Sequence, residues 1–258
     1  MPDAEYRAVD ALSKHTLDWM AESPATFIER TLRPQKRTPA MRFGSIMDMY
    51  FLDRQRWDAE IVHAPSISHN TNAWREFVAA CDSRGVEYAT PEDIEKIEAM
   101  WAAVQRNQTL SGLIDKSRKQ VSIFWIDEET GLRLKGRADM LLMTDADADV
   151  MTDLKTAESA QPWAFARASG MYRYHVQAAM YSDGWTSNTG RPVKFLFAPV
   201  EKEPPFLNTI LPILPDSLEA GRREYRRLLR LYQECVESDN WPGLPDIMDG
   251  FDIPSYLM

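Results

Sequence analysis

The sequence predicts an α/β protein. Two observations support this fold class. Helical patterns with clear capping residues fill most of the first half of the chain, and after residue 120 the patterns follow the order β-β-β-α-β before a final helix. With 258 residues and 44% hydrophobic content, the chain could form one sizeable domain or two small ones.

The first half is predicted to be mostly helical. Ser13 precedes a short amphipathic segment, and Ser23 before Pro24 is typical of a helix cap followed by the first helical position. A third helix is expected over residues 41–52, and a polar loop over residues 63–71. Thr90 then caps a further helix whose apolar positions recur every three or four residues. These positions are Ile94, Ile97, Trp101 and Val104.

The second half carries the strand patterns. Apolar residues alternate between positions 121 and 125, and the acidic, glycine-containing turn at residues 127–131 indicates a hairpin. The elements that follow are strands over residues 132–143 and 149–155, a helix over residues 162–181 and a strand over residues 193–198.

A final helix is predicted to begin at Asp216 or Ser217, with Glu219 placed for a capping box. Five arginines lie on this helix: Arg222, Arg223, Arg226, Arg227 and Arg230. They fit either a phosphate-facing stripe or a solvated helix paired with neighbouring glutamates.

The composition excludes several classes of protein. A net charge of −9 argues against general nucleic-acid affinity, so any DNA contact would use a local basic surface. Two cysteines are too few for a disulfide framework or a four-thiolate iron–sulfur cluster. No membrane-spanning run or secretory signal is apparent, so the expected location is the cytoplasm.

Two acidic residues and a lysine carry the predicted chemistry. Asp153 and Lys155 alternate with Leu154 on a predicted strand, so their side chains share one face while Leu154 enters the core. If the strand of Asp139 lies alongside, two carboxylates converge and favour a divalent cation with oxygen ligands, such as Mg²⁺. An isolated Asp-x-Lys triplet is nevertheless common, and it also fits an ordinary ion pair on an exposed strand.

A wider set of motifs spans nearly the whole chain. They are Ser13-Lys14, Leu17-Asp18, Gly44, Thr71-Asn72-Ala73, Ser122-Ile123-Phe124-Trp125, Glu129-Thr130-Gly131, Arg137-Ala138-Asp139, Asp153-Leu154-Lys155-Thr156, Tyr172-Arg173-Tyr174-His175-Val176-Gln177, Tyr181-Ser182-Asp183-Gly184 and Trp241-Pro242. With these motifs the chain resembles the RecE-type exonucleases, the exodeoxyribonuclease VIII branch of the PD-(D/E)xK nuclease superfamily. The resemblance implies a restriction-endonuclease-like core, in which a central mixed β-sheet is flanked by helices, with a helical N-terminal part.

The resemblance also implies roles for individual residues. Asp139 and Asp153, with the backbone carbonyl of Leu154, would bind Mg²⁺, for which Mn²⁺ can substitute, and Lys155 would be the catalytic lysine. Gln177 and Tyr181 would form the Gln-x-x-x-Tyr motif, and their spacing of four independently places them on one helical face.

Two positions depart from the family pattern. Asp48 stands where many relatives have histidine, and its carboxylate is an equally suitable Mg²⁺ ligand. Gln120 lies near the position of a glutamate in RecE-like chains, which leaves open whether one or two metals bind.

Candidate DNA contacts near the predicted site are Arg137, Lys135, Arg173 and Lys194.

The function implied by the resemblance is 5′ to 3′ digestion of linear double-stranded DNA, exposing a 3′ strand for recombination. A ring-shaped trimer or tetramer, a RecT-like single-strand annealing partner and a bacterial or phage origin are implied in the same way. The expected organisation is one domain over residues 1–258, with a helical part (1–118), a catalytic sheet core (119–215) and a C-terminal helix and tail (216–258). The alternatives are another nuclease of the superfamily, or a catalytically weakened subunit that binds DNA ends.

Overall fold

A computed structural model of the chain describes residue 1, residues 3–33 and 38–247, and residue 250. The end of the predicted C-terminal tail, residues 251–258, lies outside the described residues. In chain order the elements are α1 (Asp3–Ala8), β1 (Leu12–Ser13), α2 (Lys14–Glu22), α3 (Pro24–Leu32), α4 (Pro39–Leu52), α5 (Arg54–Glu60), β2 (Val62–His63), α6 (Asn72–Arg84), β3 (Tyr88–Ala89), α7 (Pro91–Arg106), α8 (Gln108–Lys116), β4 (Arg118–Ile126), β5 (Arg133–Leu142), β6 (Asp149–Ala157), α9 (Pro162–Met171), α10 (Tyr174–Thr189), β7 (Val193–Glu201), β8 (Leu211–Pro212) and α11 (Pro215–Ser238).

The predicted caps of the N-terminal helices are confirmed. The Ser13 side chain accepts a hydrogen bond from the Thr16 amide at the start of α2, and Ser23 caps α3 in the same way. Thr90 and Asp93 form a reciprocal capping box at the start of α7. Such caps satisfy backbone amides that have no partner within the helix, which is why each helix begins at these residues.

The predicted succession of three strands, a helical segment and a further strand along the chain is confirmed by β4, β5, β6 and β7. The sheet that they form is mixed. Strand β5 pairs antiparallel with β4 on one side and with β6 on the other, while β6 and β7 run parallel over nine residue pairs. The pairing of β5 with β6 ends at Met140 and Thr152. Nearer its N-terminal end, β5 pairs with β1 and no longer with β6. The two central strands therefore separate at the next residues, Asp139 and Asp153.

Helices cover both faces of the sheet and form two hydrophobic cores. On one face Met151 and Phe197 pack with residues of α2, α10 and α11. On the other face Leu154 and Ala198 pack with residues of α4, α7 and α8. This alternation along β6 confirms that Leu154 enters the core while its neighbours face the opposite side.

Two expectations about helices are wrong. Residues 162–181 do not form one helix, because α9 ends at Met171 and α10 begins at Tyr174, with Arg173 between them at a φ of 55°. The final helix begins at Pro215, and its N-cap residue Leu214 makes no side-chain cap bond, so the capping box with Glu219 does not form. Among the described residues, no helix combines the length and apolar character needed to cross a membrane.

The start of β6 is fixed by a buried carboxylate. Asp149 is 0% exposed and accepts hydrogen bonds from the Arg191 guanidinium, the Trp185 indole and the Thr144 amide. These partners, with Arg191 the largest contributor, lower the pKa of Asp149 to about 2. The interaction joins the parallel strands β6 and β7 at the end remote from Asp153.

We expect Asp149→Ala to lower the free energy of unfolding by about 2 kcal/mol at pH 7, because several buried donors lose their acceptor. The pKa of Asp149 is lower in the folded than in the unfolded protein. Its contribution is therefore complete above about pH 4 and is lost as the pH falls toward 2. Urea unfolding at several pH values measures the free energy of unfolding and its pH dependence. Asp147→Ala, at an exposed position of the same loop, is the control, and equal stability of the two variants would contradict the prediction.

Candidate active site

Asp153 and Lys155 meet on one face of β6. The Asp153 side chain is 4% exposed, and the Lys155 ammonium contacts its Oδ2. From the helix layer, the Gln177 side-chain amide donates a hydrogen bond to Asp153 Oδ1. Burial alone would lower the pKa of Lys155, but the Asp153 and Asp139 carboxylates hold that pKa above its usual value. Lys155 is therefore a protonated, partly enclosed ammonium.

Asp139 lies where β5 and β6 separate. Its Oδ2 accepts a hydrogen bond of 2.9 Å from the Leu154 backbone amide, and its Oδ1 accepts one of 3.4 Å from the Gln120 side chain. Burial and the negative charge of Asp153 raise the pKa of Asp139 to about 7. The predicted convergence of the two carboxylates is thus observed, and it results from the opening of the sheet.

The backbone is irregular opposite Asp139. Lys119 pairs with Met140 and Val121 pairs with Ala138, so Gln120 occupies the position facing Asp139, and it has a φ of 50°. A left-handed backbone at a residue other than glycine costs on the order of 1–3 kcal/mol and is concentrated at functional sites. This conformation accompanies the Gln120 hydrogen bond to Asp139.

Asp48 approaches the same carboxylates from α4, on the other side of the sheet. Burial, and then the charge of Asp139, raise the pKa of Asp48 well above its usual range. A cavity of about 120 Å³ is lined by Asp48, Gln120 and Arg137 among other residues. Both helical layers therefore contribute a polar side chain to the opening in the sheet, Gln177 from one and Asp48 from the other.

The donor set suits a divalent cation. Within the described part of the chain, no three His, Cys, Asp or Glu side chains are grouped closely enough to hold a metal ion. Asp139 and Asp153 nevertheless place two carboxylates beside the Leu154 backbone, and the charge of Asp153 raises the pKa of Asp139. Oxygen ligands of this kind match Mg²⁺ or Mn²⁺, and a cation would relieve the repulsion between the carboxylates.

Tyr181 lies beneath the site, one helical turn after Gln177. Its ring is buried against β5, and this burial raises its pKa well above the usual value. A Cβ atom at Gly136 would lie 2.6 Å from the Tyr181 ring, so only glycine at that position admits the ring. Gln177 and Tyr181 occupy one face of α10, as predicted; of the two, only Gln177 bonds a candidate catalytic side chain directly.

Sequence reasoning missed Tyr174. Its ring centroid lies 4.9 Å from the Lys155 ammonium, close enough for a cation–π interaction. Tyr174 precedes Gln177 by three residues and therefore shares its helical face. Extending the Gln177–Tyr181 face by one turn toward the N-terminus would have found it.

The structure does not bring all predicted DNA contacts to the site. Lys135 is 8% exposed and donates to the carbonyl oxygens of Tyr6, Arg7 and Val9, so it cannot reach a phosphate. Lys194 pairs in register with Val150, which places it on the sheet face opposite Asp153.

The two other predicted contacts, Arg137 and Arg173, lie near the site but already have partners. Arg137 bonds Ser122 and the Met1 carbonyl, and Arg173 pairs with Glu224. These contacts already neutralise or bond both guanidinium groups, although the Arg173 Nε is left without a hydrogen-bond acceptor among the described residues.

The arginines of α11 are also largely paired. Arg222 bonds Asp183, both Arg226 and Arg230 bond Glu129, and Arg227 bonds a glutamate one turn earlier. These contacts favour the interpretation of a charged, ion-paired helix over a phosphate-facing stripe.

Comparison with known proteins identifies the family. A family model described as a PDDEXK-like domain of unknown function (DUF3799) matches residues 13–250. The chain belongs to this family. The predicted PD-(D/E)xK superfamily and restriction-endonuclease-like α/β fold are therefore confirmed, whereas the match does not specify the RecE-type branch. No curated protein matches the sequence.

One solved structure supports the fold of this DUF3799 protein. A crystal structure from Eubacterium rectale, described as "Putative exonuclease", is similar with a TM-score of 0.64 and 16% sequence identity, covering 95% of each chain. A structure described as SSO0001 has a TM-score of 0.32 and 13% identity, covering 88% of this chain and 86% of the other. The first similarity extends over nearly the whole chain and indicates a shared fold.

Proposed function

We propose that this DUF3799 protein is a metal-dependent DNA exonuclease of the RecE type. The main support for this proposal is one cluster of side chains at the point where β5 and β6 separate. Its members are Asp139, Asp153, Lys155 and Gln177. The description of the E. rectale structure as an exonuclease points to the same activity.

The chain's own residues suit phosphodiester hydrolysis. Mg²⁺ held by Asp139, Asp153 and the Leu154 carbonyl would act as a Lewis acid and lower the pKa of a water molecule. Lys155 places a fixed positive charge where negative charge develops on the phosphate. Gln177 orients the Asp153 carboxylate, and Tyr181 supports the helix that carries Gln177.

The finer features of the proposal follow from the RecE-type resemblance. They are 5′ to 3′ polarity on linear double-stranded DNA, a ring-shaped trimer or tetramer, a RecT-like annealing partner, and a single domain acting in the cytoplasm of a bacterial or phage-infected cell. A basic channel within such a ring would be compatible with the net charge of −9.

Digestion of linear duplex DNA labelled at either the 5′ or the 3′ end, with Mg²⁺, Mn²⁺ or EDTA, tests the proposal. We expect Mg²⁺-dependent shortening of the linear duplex from its 5′ ends, and no cut in a closed circular duplex. Cutting of the closed circle would indicate an endonuclease. Equal release of label in EDTA would contradict metal dependence.

A second candidate is a DNA-end-binding subunit with weak or no catalysis. It is favoured by Gln120, which faces Asp139 with an uncharged amide in place of the carboxylate expected in RecE-like chains. Duplex-end binding without hydrolysis in either Mg²⁺ or Mn²⁺ would support this candidate over the enzyme.

A further inference from the structure

Three aromatic rings form a stack that runs from the sheet to the surface beside Lys155. The Tyr174 ring stacks on Phe197 of β7, with centroids 5.8 Å apart. The Tyr172 ring stacks on Tyr174 at 5.6 Å, with 24° between the ring planes. Tyr172 is 60% exposed, so the stack ends in a ring that is open to solvent.

A strained residue creates this stack. In a continuous helix, residues two positions apart point in different directions, so Tyr172 and Tyr174 could not stack. The left-handed backbone of Arg173 separates α9 from α10 and brings the two rings together. Its guanidinium is held by Glu224 and lies near Asp18. Backbone strain that is sustained by surrounding contacts is concentrated at ligand sites and catalytic sites.

A groove of about 370 Å³ lies against the two tyrosines. Its walls include Lys14, Asp18, Glu22, Met171, Tyr172, Arg173 and Tyr174. Lys14 bonds Asp18 at 2.7 Å, Glu22 bonds Arg30, and Arg173 bonds Glu224, so each charged side chain of the groove has an oppositely charged partner within the protein. Because Lys14 and Arg173 already have carboxylate partners, the groove offers little free positive charge to a phosphate, whereas a flat, uncharged ring can stack against the tyrosines. The groove therefore suits a base better than the sugar–phosphate backbone.

Tyr174 links the groove to the candidate active site, because it lines the groove and its ring lies 4.9 Å from the Lys155 ammonium. Resting on the proposed nuclease function, we infer that the groove binds an unpaired base of the strand being cut, stacked on Tyr172. This base belongs to a nucleotide next to the phosphate at Lys155. Stacking on an aromatic ring tolerates any base, as a nuclease without sequence preference requires.

Equilibrium binding of single-stranded oligonucleotides in EDTA tests the inference without hydrolysis. The probes carry 2-aminopurine at one of the first three positions from the 5′ end, and its fluorescence is quenched when it stacks. For at least one position, we expect Tyr172→Ala to remove the quenching and raise the Kd about 5- to 150-fold. Tyr172→Phe should keep both the quenching and the Kd of the wild type.

Trp163→Ala is the matched control, because Trp163 is 72% exposed on α9 and lies outside the stack. A probe with an abasic nucleotide at the quenched position should bind wild type and Tyr172→Ala equally. An unchanged Kd for Tyr172→Ala at all three positions would overturn the inference. An equal loss of affinity on the abasic probe would also overturn it, because the effect would then not depend on the base.

These outcomes are separate from those that decide the proposed function. Base-dependent binding at Tyr172 without hydrolysis in Mg²⁺ or Mn²⁺ would contradict the nuclease function and leave the base site supported. Hydrolysis with unchanged binding by Tyr172→Ala would support the nuclease function and overturn the base site.

Discussion

Lys155→Ala is expected to lower the rate of DNA hydrolysis by about 10²- to 10³-fold, the usual effect of removing a preorganised group that stabilises transition-state charge. Lys155 is the cation that contacts Asp153 Oδ2, and the neighbouring carboxylates raise its pKa, which favours the protonated form. The measurement is single-turnover digestion of end-labelled linear duplex in Mg²⁺. Asp153→Asn should cause a loss at least as large, because it removes a proposed cation ligand.

Folding and DNA binding distinguish a catalytic effect from a structural one. Lys194→Ala is the matched control, because Lys194 is an exposed lysine on the opposite face of the sheet. It should keep the wild-type rate within about twofold, since removing one peripheral charge affects mainly association. Both lysine variants should bind a duplex end in EDTA. Wild-type hydrolysis by Lys155→Ala or Asp153→Asn would remove this site as the catalytic centre.

The fold was predictable where the signals are local. The caps at Ser13, Ser23 and Thr90 each involve bonds to the next three residues, so the sequence contains both partners. The break between α9 and α10 was not predictable in this way. Tyr172 and Arg173 carry no helix-breaking signal, Gly170 before them is only a weak one, and the left-handed Arg173 is held by Glu224, 51 residues away.

The candidate site likewise has features that local sequence patterns predict and features that depend on distant parts of the chain. Strand alternation placed Asp153 and Lys155 on one face, and helical spacing placed Gln177 and Tyr181 together. The burial of Lys135 depends instead on carbonyl groups at the end of α1 and in the segment after it, over 120 residues earlier in the chain. The strain at Gln120 likewise arises from pairing across β4 and β5, which no local pattern encodes.

Gly221→Ala is expected to give the largest loss of stability, about 3 kcal/mol, near the upper end of the range for overpacking a well-packed core. Gly221 lies where α11 crosses the first turn of α10. A Cβ atom there would lie 2.1 Å from the backbone oxygen of His175. Relief requires moving a helix backbone, since no side chain is available to rotate away. Chemical denaturation measures the change.

Gly112→Ala is the control, because Gly112 lies in α8 with nothing within 4 Å of an added Cβ. It should stabilise the protein by about 0.5–1 kcal/mol, since alanine is the better helix former. Equal and favourable effects of both substitutions would contradict the predicted clash. Where Gly221→Ala still folds, displacement of α10 should shift Gln177, two residues after His175, away from Asp153. We therefore expect hydrolysis to fall although Gly221 contacts none of the candidate catalytic residues.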